Sequence, residues 1–515
     1  MTTDHDWFLA PHERGNPSSS IDAHDGRSWT AGNMVTPLVD GATYFARLAT
    51  VFGEMRSGDL LLFTDWRGDP DEHLVEGLSV TRALVALCRR GVDVRGLVWR
   101  SHSDRLSFSA KENRRVADEV VTAGGEVLLD ERVRPGGSHH QKLVIARHPG
   151  RPHRDVAFVG GIDLCHGRRD DGRHRGDPQS AKLDPRFGDR PPWHDVQLEV
   201  RGPAVADLEL TFRERWSDPS ALDHSGVVRA WFSRTASRER TAKPLPSPLP
   251  APPAAGSLAV QVLRTYPARR PSYDFAPDGE RSVARAFLKA VARARSLVYI
   301  EDQYFWSVDA ARAIAAAVRR QRDLRVIVLV PRHPDRDGLL SGRPARHAQS
   351  RALDIIRSAA PERVAAYDLE NEDGTPVYVH AKVCVIDDTW VTVGSDNVNR
   401  RSWTHDSEIS CAVVDATGTG CAGTLRRRLW SEHLALEPDH PDMQDAERAF
   451  DLWQRAALQL EEWHRRRHGD RPAGRVRVHA PNPPGAVSRV ASKFLYRTLL
   501  DPDGRPIRQR RAGGY

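Results

Sequence analysis

One order of strands, helices and polar motifs occurs twice in this chain. The second copy is marked by His380 and Lys382, which precede the apolar run 383–386 and Asp387. The first copy is marked by His140 and Lys142, which also precede an apolar run, and the two histidines lie 240 residues apart. Each run predicts a buried strand that turns and returns to a glycine. A repeat of this length predicts two similar lobes rather than a solenoid.

The elements before each motif also match. We predict strands at 59–66, 93–99 and 126–130 in the first half and at 297–302, 324–330 and 364–368 in the second, with helices at 43–56, 79–90, 108–123, 282–294, 309–321, 347–358 and 446–467. Strands that alternate with helices indicate an α/β fold. We therefore expect two α/β lobes, each a mixed sheet flanked by helices, with the active site between them.

Composition suggests where the lobes begin and end. A polar N-terminal stretch predicts a loose arm, and a proline-rich run between the halves predicts a stiff linker. The expected divisions are an arm at 1–35, a first lobe at 36–232, a linker at 233–257, a second lobe at 258–470 and a tail at 471–515.

Bulk properties limit the partners and the compartment. The net charge of +7 favours anionic partners, although it is spread along the chain. Five cysteines without close pairs argue against a disulfide framework or a zinc site. There is no signal-like N-terminus and no apolar stretch long enough to span a bilayer. We expect a cytoplasmic protein, peripheral to membranes at most.

An imidazole and an ammonium group at the end of a hairpin suit phosphate chemistry. One imidazole can attack phosphorus while a second protonates the leaving oxygen, so no metal is needed. A carboxylate on each Nδ1 would fix the tautomer and aim Nε2 at the substrate. Glu408 opens a strand 28 residues after His380, and Asp195 opens one 55 residues after His140. These are the candidate carboxylates.

The duplicated His-x-Lys-x4-Asp pattern resembles the hallmark of the phospholipase D superfamily. Flanking stretches are similar to phospholipase D proper, namely 160–170, 192–196, 213–216 and 299–305. The resemblance implies hydrolysis of glycerophospholipids through a phosphohistidine, with alcohol able to replace water. It implies no cofactor or metal, a phospholipid substrate at a membrane surface, no obligate nucleic acid, and a monomer. The implied catalytic residues are His140, Lys142, His380, Lys382, Asp387, Asp195, Glu408 and Asn397; the implied substrate-binding residues are Ser395, Gly161, Asp163 and Gln303.

Within this resemblance, the N-terminal histidine is usually the nucleophile, which implies His140, with His380 as acid and then base. The residues themselves do not assign that order. Glu301 and Asp302 end a strand near the expected cleft, which suggests placement beside the substrate.

The first motif departs from the pattern, because it carries Arg147 where Asp is expected. In an antiparallel return strand, Asp155 would lie opposite Arg147, so we predict an ion pair between them. The expected aspartate sits at the far end of the strand from the histidine and lysine, which favours a structural role and continued activity.

Three alternatives stay open. The first is cardiolipin synthase-like phosphatidyl transfer, a branch that usually carries N-terminal membrane helices. The second is a nuclease, whose cleft would need a basic track for the nucleic acid backbone. The third is a lipid-binding module without turnover, which Arg147 keeps in consideration.

Overall fold

A computed structural model describes most of the chain. The described residues are 6–23, 26–100, 110–180, 182–222, 242–335, 342–415, 420–466, 468–480 and 500–515. The predicted helix at 108–123 therefore begins outside the described residues, and part of the predicted linker, 233–241, lies outside them as well.

Each half of the chain forms one lobe of strands and helices. The first half contains β1 Thr30–Val39, α1 Gly41–Glu54, β2 Leu60–Asp65, β3 His73–Val75, β4 Leu78–Ser79, α2 Val80–Arg89, β5 Asp93–Trp99, α3 Ala110–Thr122, β6 Glu126–Asp130, β7 Leu143–Arg147, β8 Val156–Gly160, β9 Trp193–His194, β10 Val196–Arg201 and α4 Ala204–Trp216. The predicted strands and helices of this half are confirmed to within a few residues.

The second half repeats this order. It contains β11 Leu258–Tyr266, β12 Glu280–Arg281, α5 Ser282–Arg293, β13 Leu297–Asp302, α6 Val308–Arg320, β14 Arg325–Leu329, α7 Gly342–Arg357, β15 Val364–Leu369, β16 Tyr378–Val379, β17 Lys382–Ile386, β18 Trp390–Gly394, α8 Arg400–Thr404, β19 Glu408–Val414, α9 Cys421–Leu434, α10 Ala446–Arg466, β20 Val476–Val478 and α11 Ile507–Ala512. Short 3-10 turns lie at Pro11–Arg14, Ser20–Ala23, Pro152–Arg154, Pro185–Phe187 and Pro441–Gln444.

The main strands form one sheet that runs through both lobes. Its order is β20-β15-β14-β13-β17-β18-β19-β11-β1-β10-β8-β7-β2-β5-β6, with β12 paired to β11. The neighbours β2, β5 and β6 are parallel, as are β13, β14 and β15, and the other pairs along the path are antiparallel. The mixed sheet predicted for each lobe is confirmed.

The lobes are joined where β1 pairs antiparallel with β11, with Thr30 opposite Val260 and Asn33 opposite Leu258. Helices cross this seam, because α4 of the first half contacts β11 and α9 of the second half contacts β1. One cluster of buried apolar side chains consequently contains residues of both halves, and each lobe has a further apolar core of its own. The seam strand β1 falls largely within the segment predicted as a loose arm.

The expectation of a loose N-terminal arm is wrong for residues 6–23. Trp7 and Phe8 are buried in the core of the second lobe, where apolar burial stabilises the contact. Arg14 is fully buried and pairs with Glu280 at 2.6 Å. The expectation rested on the polar composition of the segment as a whole, whereas a few large apolar side chains bind it to the second lobe.

The C-terminal region also packs on the second lobe. β20 adds an antiparallel edge strand beside β15, and the Tyr515 hydroxyl donates a hydrogen bond to Asp309 at 2.9 Å. The described part of the linker has neither helix nor strand, and its Pro246 and Pro250 carbonyls accept hydrogen bonds from the first lobe. The domain boundaries themselves stay predictions.

None of the helices in the described ranges is long and apolar enough to cross a bilayer.

Candidate active site

Each motif histidine comes just before its strand and is held by backbone from the opposite lobe. The His140 amide donates to the Ser407 carbonyl at 3.0 Å, and the His380 amide donates to the His194 carbonyl at 2.8 Å. The short strands β9 and β16 also pair in parallel across the lobes. Ser407 and His194 directly precede the two candidate carboxylates, so this pairing brings each carboxylate to the histidine of the other lobe.

The carboxylates are therefore exchanged between the lobes. Nδ1 of His140 lies 2.9 Å from Glu408 Oε2, and Nδ1 of His380 lies 2.6 Å from Asp195 Oδ2. Both carboxylates are fully buried, whereas 17% of the His140 side chain and 6% of the His380 side chain are exposed. With each Nδ1–H donating to a carboxylate, Nε2 is the nitrogen left for chemistry.

Burial controls the charge of this site. Burial, followed by the nearby Lys142 and Lys382 respectively, lowers the pKa of His140 and of His380 well below the usual value. Burial also raises the pKa of Glu408 to about 8 and raises the pKa of Asp195. Burial thus favours the neutral form of each imidazole, and a neutral imidazole is a competent nucleophile.

The two lysines lie beside the histidines in unlike settings. Lys142 pairs with Asp163 at 3.1 Å and donates to the His140 carbonyl at 3.0 Å. Lys382 donates to the His380 carbonyl and to Gln303 Oε1, the latter at 3.3 Å. Burial lowers the pKa of Lys382 to about 8. The second-lobe ammonium therefore has a neutral partner where the first has a carboxylate.

Asp163 belongs to a buried carboxyl pair with Asp65. Burial acts to raise the pKa of Asp163, but the charges of Lys142 and Arg168 lower it overall. Burial and the nearby Asp163 raise the pKa of Asp65. The structure thus shows Asp163 as the ion partner of Lys142, and Asp65 as a residue that sequence reasoning missed. A signal was available, because Asp65 and Asp302 end the equivalent strands of the two lobes, β2 and β13.

The predicted substrate-binding residues mostly support the machinery. Ser395 Oγ donates to Glu408 at 2.5 Å, and Gln303 donates to the Tyr378 hydroxyl at 2.7 Å. A Cβ on Gly161 would lie only 2.2 Å from Asp195 Oδ1, so glycine leaves room for that carboxylate. Asn397 is buried, and its Oδ1 accepts no hydrogen bond within the described part of the chain.

Aromatic rings flank both histidines. The Trp193 ring lies 4.8 Å from the His380 ring, and the guanidinium of Arg168 lies 3.9 Å from the Trp193 centroid on a cation–π contact. Trp66 lies 6.1 Å from His140, edge to face. These contacts fix the positions of the two histidine rings.

Asp387 does not belong to the catalytic set, which corrects the sequence prediction. It follows β17 at the end away from Lys382, about 16 Å along the strand. Its carboxylate accepts backbone N–H bonds from Arg295, Ser296 and Leu297, each at 2.9 Å. Asp387 therefore ties the start of β13 to the hairpin.

The predicted ion pair of Arg147 is confirmed. Its Nε lies 3.3 Å from Asp155 and 3.2 Å from Glu209, and Nη2 donates to the Pro250 carbonyl at 2.6 Å. Arg147 is fully buried at the end of β7 away from Lys142. Arg147, which stands where the family pattern has Asp, thus holds the far end of β7 in the fold and leaves the histidine end of the strand unchanged.

The fold and the site define a two-lobed α/β protein with a duplicated histidine–lysine centre. A family model described as Phospholipase D matches residues 128–331, and one described as Cardiolipin synthase, PLD-like domain, matches residues 287–428. The first match includes His140 and Lys142, and the second includes His380 and Lys382. The chain belongs to the phospholipase D superfamily.

Curated relatives carry the same name. Phospholipase D alpha 4 of Arabidopsis thaliana is 24% identical over 522 residues, covering 80% of this chain and 66% of that protein. Phospholipase D A of Dictyostelium discoideum is 25% identical over 481 residues, covering 78% of this chain and 35% of that protein. The chain spans between about a third and two thirds of the length of these relatives.

A solved structure shows the same fold. The crystal structure of phosphatidylserine synthase from Haemophilus influenzae Rd KW20 aligns with a TM-score of 0.52 at 14% identity, covering 84% of this chain and 93% of that one. At this identity the likeness concerns the fold alone.

Proposed function

We propose that this protein is a phosphodiesterase of the phospholipase D type, which hydrolyses glycerophospholipids to phosphatidic acid and a free headgroup. The observation that carries the proposal is the pair of exchanged carboxylate–histidine contacts, Glu408 to His140 and Asp195 to His380. Two oriented imidazoles with two adjacent lysines provide a nucleophile, an acid and charge stabilisation for a phosphodiester. The names of the curated relatives support the same reaction.

The reaction proceeds in two displacements. Nε2 of one imidazole attacks phosphorus, and the headgroup oxygen leaves with the Nε2 proton of the other imidazole, which must be in its protonated, imidazolium form when the step begins. Water then attacks the phosphohistidine and gives its proton to the second imidazole, which releases phosphatidic acid and restores both groups. We assign the attack to His140 from the family pattern, and its larger exposed fraction, 17% against 6% for His380, supports this order.

Charge stabilisation comes from the lysines. Among the described residues no carboxylate forms an ion pair with Lys382, so its ammonium can turn to a non-bridging phosphate oxygen with the loss of one hydrogen bond to Gln303. Lys142 remains paired with Asp163, so the two side chains together add no net charge to the site. The histidine that protonates the leaving oxygen must itself bind a proton before the first displacement. The negative charge of a bound phosphodiester favours that protonation.

The chain contains both half-sites, so we propose that a monomer is competent and that it acts at the membrane surface. No resident metal takes part in the displacement steps as proposed. An alcohol in place of water would complete headgroup exchange, because both nucleophiles attack the same phosphohistidine.

The test uses phosphatidylcholine vesicles with and without ethanol. Wild type should release choline and form phosphatidylethanol with ethanol present, while His140→Ala and His380→Ala should each lose turnover. His479→Asn is a matched control, because His479 is also buried against a carboxylate, Asp368 at 3.1 Å, but lies at the sheet edge. Loss of turnover in the control, or no turnover by wild type on mixed phospholipids, would contradict the proposal.

Acid quenching during turnover assigns the two roles. His380→Ala should still form a phosphohistidine from a substrate with a good leaving group, whereas His140→Ala should form none. The opposite result would reverse the order of the two histidines and would keep the reaction class.

Phosphatidyl transfer to a second lipid alcohol is the second candidate. The match of the second lobe to the family model named for cardiolipin synthase favours it. Product analysis with phosphatidylglycerol vesicles separates the two: cardiolipin would identify transfer, and phosphatidic acid with glycerol would identify hydrolysis.

A further inference from the structure

A second cluster of buried titratable side chains lies between the lobes, directly behind one catalytic carboxylate. Asp40, His174 and His194 come from the first lobe and Glu432 comes from α9 of the second. The three first-lobe residues are buried, and 17% of the Glu432 side chain is exposed. His194 immediately precedes Asp195, but the reaction proposed above uses none of the four.

The four potential ligand atoms are mutually close. His194 Nδ1 lies 3.2 Å from Asp40 Oδ1 and 3.5 Å from Glu432 Oε1, and His174 Nε2 lies 2.9 Å from the same Glu432 oxygen. All four ligand atoms lie within 4.8 Å of one another. Tetrahedral zinc with ligands at about 2.0–2.1 Å places neighbouring ligand atoms about 3.3 Å apart. The three measured separations fall around that spacing.

An independent observation concerns the other ring nitrogen of each histidine. His194 Nε2 lies 2.8 Å from Glu301, and His174 Nδ1 lies 3.1 Å from the Trp193 carbonyl. A metal-bound histidine characteristically donates its second N–H to a carboxylate or a backbone carbonyl, which fixes the tautomer. Each histidine thus uses one ring nitrogen for this outer partner and turns the other, Nδ1 of His194 and Nε2 of His174, towards the carboxylates of Asp40 and Glu432.

We propose that Asp40, His174, His194 and Glu432 form a structural site for a divalent metal of the zinc type, which clamps the two lobes together behind the active site. Two imidazoles and two carboxylates suit zinc, and four protein ligands leave no open position for substrate, as in structural sites. The site is separate from the displacement chemistry, which uses the imidazoles of His140 and His380.

The clamp would act on the active site through the backbone. The His194 carbonyl accepts the His380 amide at 2.8 Å, and the Trp193 ring lies 4.8 Å from the His380 ring. Fixing His174 and His194 therefore fixes the segment that positions His380 and Asp195. Removal of the metal should loosen this segment and the contact of α9 with the first lobe.

The experiment measures the metal directly. Full-length wild type, purified after growth with zinc and dialysed, should contain about one zinc per chain by elemental analysis. Chelator-treated protein should bind one Co²⁺ with the visible spectrum of a tetrahedral site and show a higher Tm with zinc restored. A wild-type protein that binds neither zinc nor Co²⁺ stoichiometrically, with no change in Tm, would overturn the proposal without any variant.

Two variants then locate the metal. His174→Gln should reduce bound metal to a small fraction of the wild-type amount. His433→Gln is the comparison variant, because His433 is buried in the same region and belongs to the other group of potential ligands, with His194 and Glu301, the latter at 2.9 Å. It should keep the metal. Equal metal content in both variants, or loss only in His433→Gln, would refute this choice of ligands.

Discussion

Restoring the family aspartate at position 147 should destabilise this protein. Arg147 is fully buried between Asp155 at 3.3 Å and Glu209 at 3.2 Å, and it also holds the Pro250 carbonyl. Arg147→Asp would remove the cation and bury a third carboxylate beside two others. Removal of one partner from a buried ion pair costs about 3–5 kcal/mol, so we expect a loss of about 4 kcal/mol in the free energy of unfolding.

The expected change in Tm follows from the size of the unfolding unit. The entropy of unfolding is about 2.1 cal/mol/K per residue, or about 1.1 kcal/mol/K for the whole chain. A loss of about 4 kcal/mol then lowers Tm by about 4 °C if the chain unfolds as one unit, and by about 10 °C if a lobe of about 200 residues unfolds alone. Calorimetry distinguishes these cases.

Catalysis at 25 °C should be nearly unchanged in Arg147→Asp, because position 147 lies about 16 Å along the strand from Lys142. Arg154→Asp is the control, since Arg154 is an exposed partner of Glu54 near the same hairpin and surface pairs contribute about 0–1 kcal/mol. A Tm equal to wild type in Arg147→Asp, or a kcat that falls far more than stability does, would refute the assignment of Arg147 as an anchor of the fold.

Three further changes probe the site. Gly161→Ala should lower kcat on the order of 10²-fold, because its Cβ would displace the Asp195 carboxylate, whereas Gly53→Ala, with nothing within 4 Å of its Cβ, should be neutral. Asp195→Asn should lower kcat on the order of 10⁴-fold by reversing the hydrogen bond to His380, and should add nothing to His380→Ala. Since burial lowers the pKa of Lys382 to about 8, the ammonium loses its charge as pH rises through 8 and kcat/KM should fall there. Lys382→Arg should move that alkaline limb upward, and an unmoved limb would assign it to another group.

The sequence was sufficient for the elements of both lobes because local signals repeat there. The apolar runs before Asp65 and Asp302 and the spacing of the two motifs predicted the α/β lobes. The sequence did not predict that the N-terminal segment packs on the second lobe. That packing depends on a few large apolar side chains and on the buried ion pair between Arg14 and Glu280, which are 266 residues apart in the chain.

For the two catalytic carboxylates, the sequence and the tertiary structure supply different information. Their residue types and positions at strand starts identified Asp195 and Glu408 as partners of the histidines from the sequence. The exchange between lobes, Glu408 to His140 and Asp195 to His380, is set by the backbone pairing of each histidine with the other lobe.

The sequence by itself determined the duplication, the α/β class and the chemical identities of the histidines and lysines, because strand periodicity and motif spacing are local properties of the chain. Only the tertiary structure decided which carboxylate serves which histidine, that Asp387 anchors β13, and that Asp40, His174, His194 and Glu432 meet between the lobes. These contacts join residues that are far apart in the chain, and their geometry depends on how the two lobes pack along the β1–β11 seam.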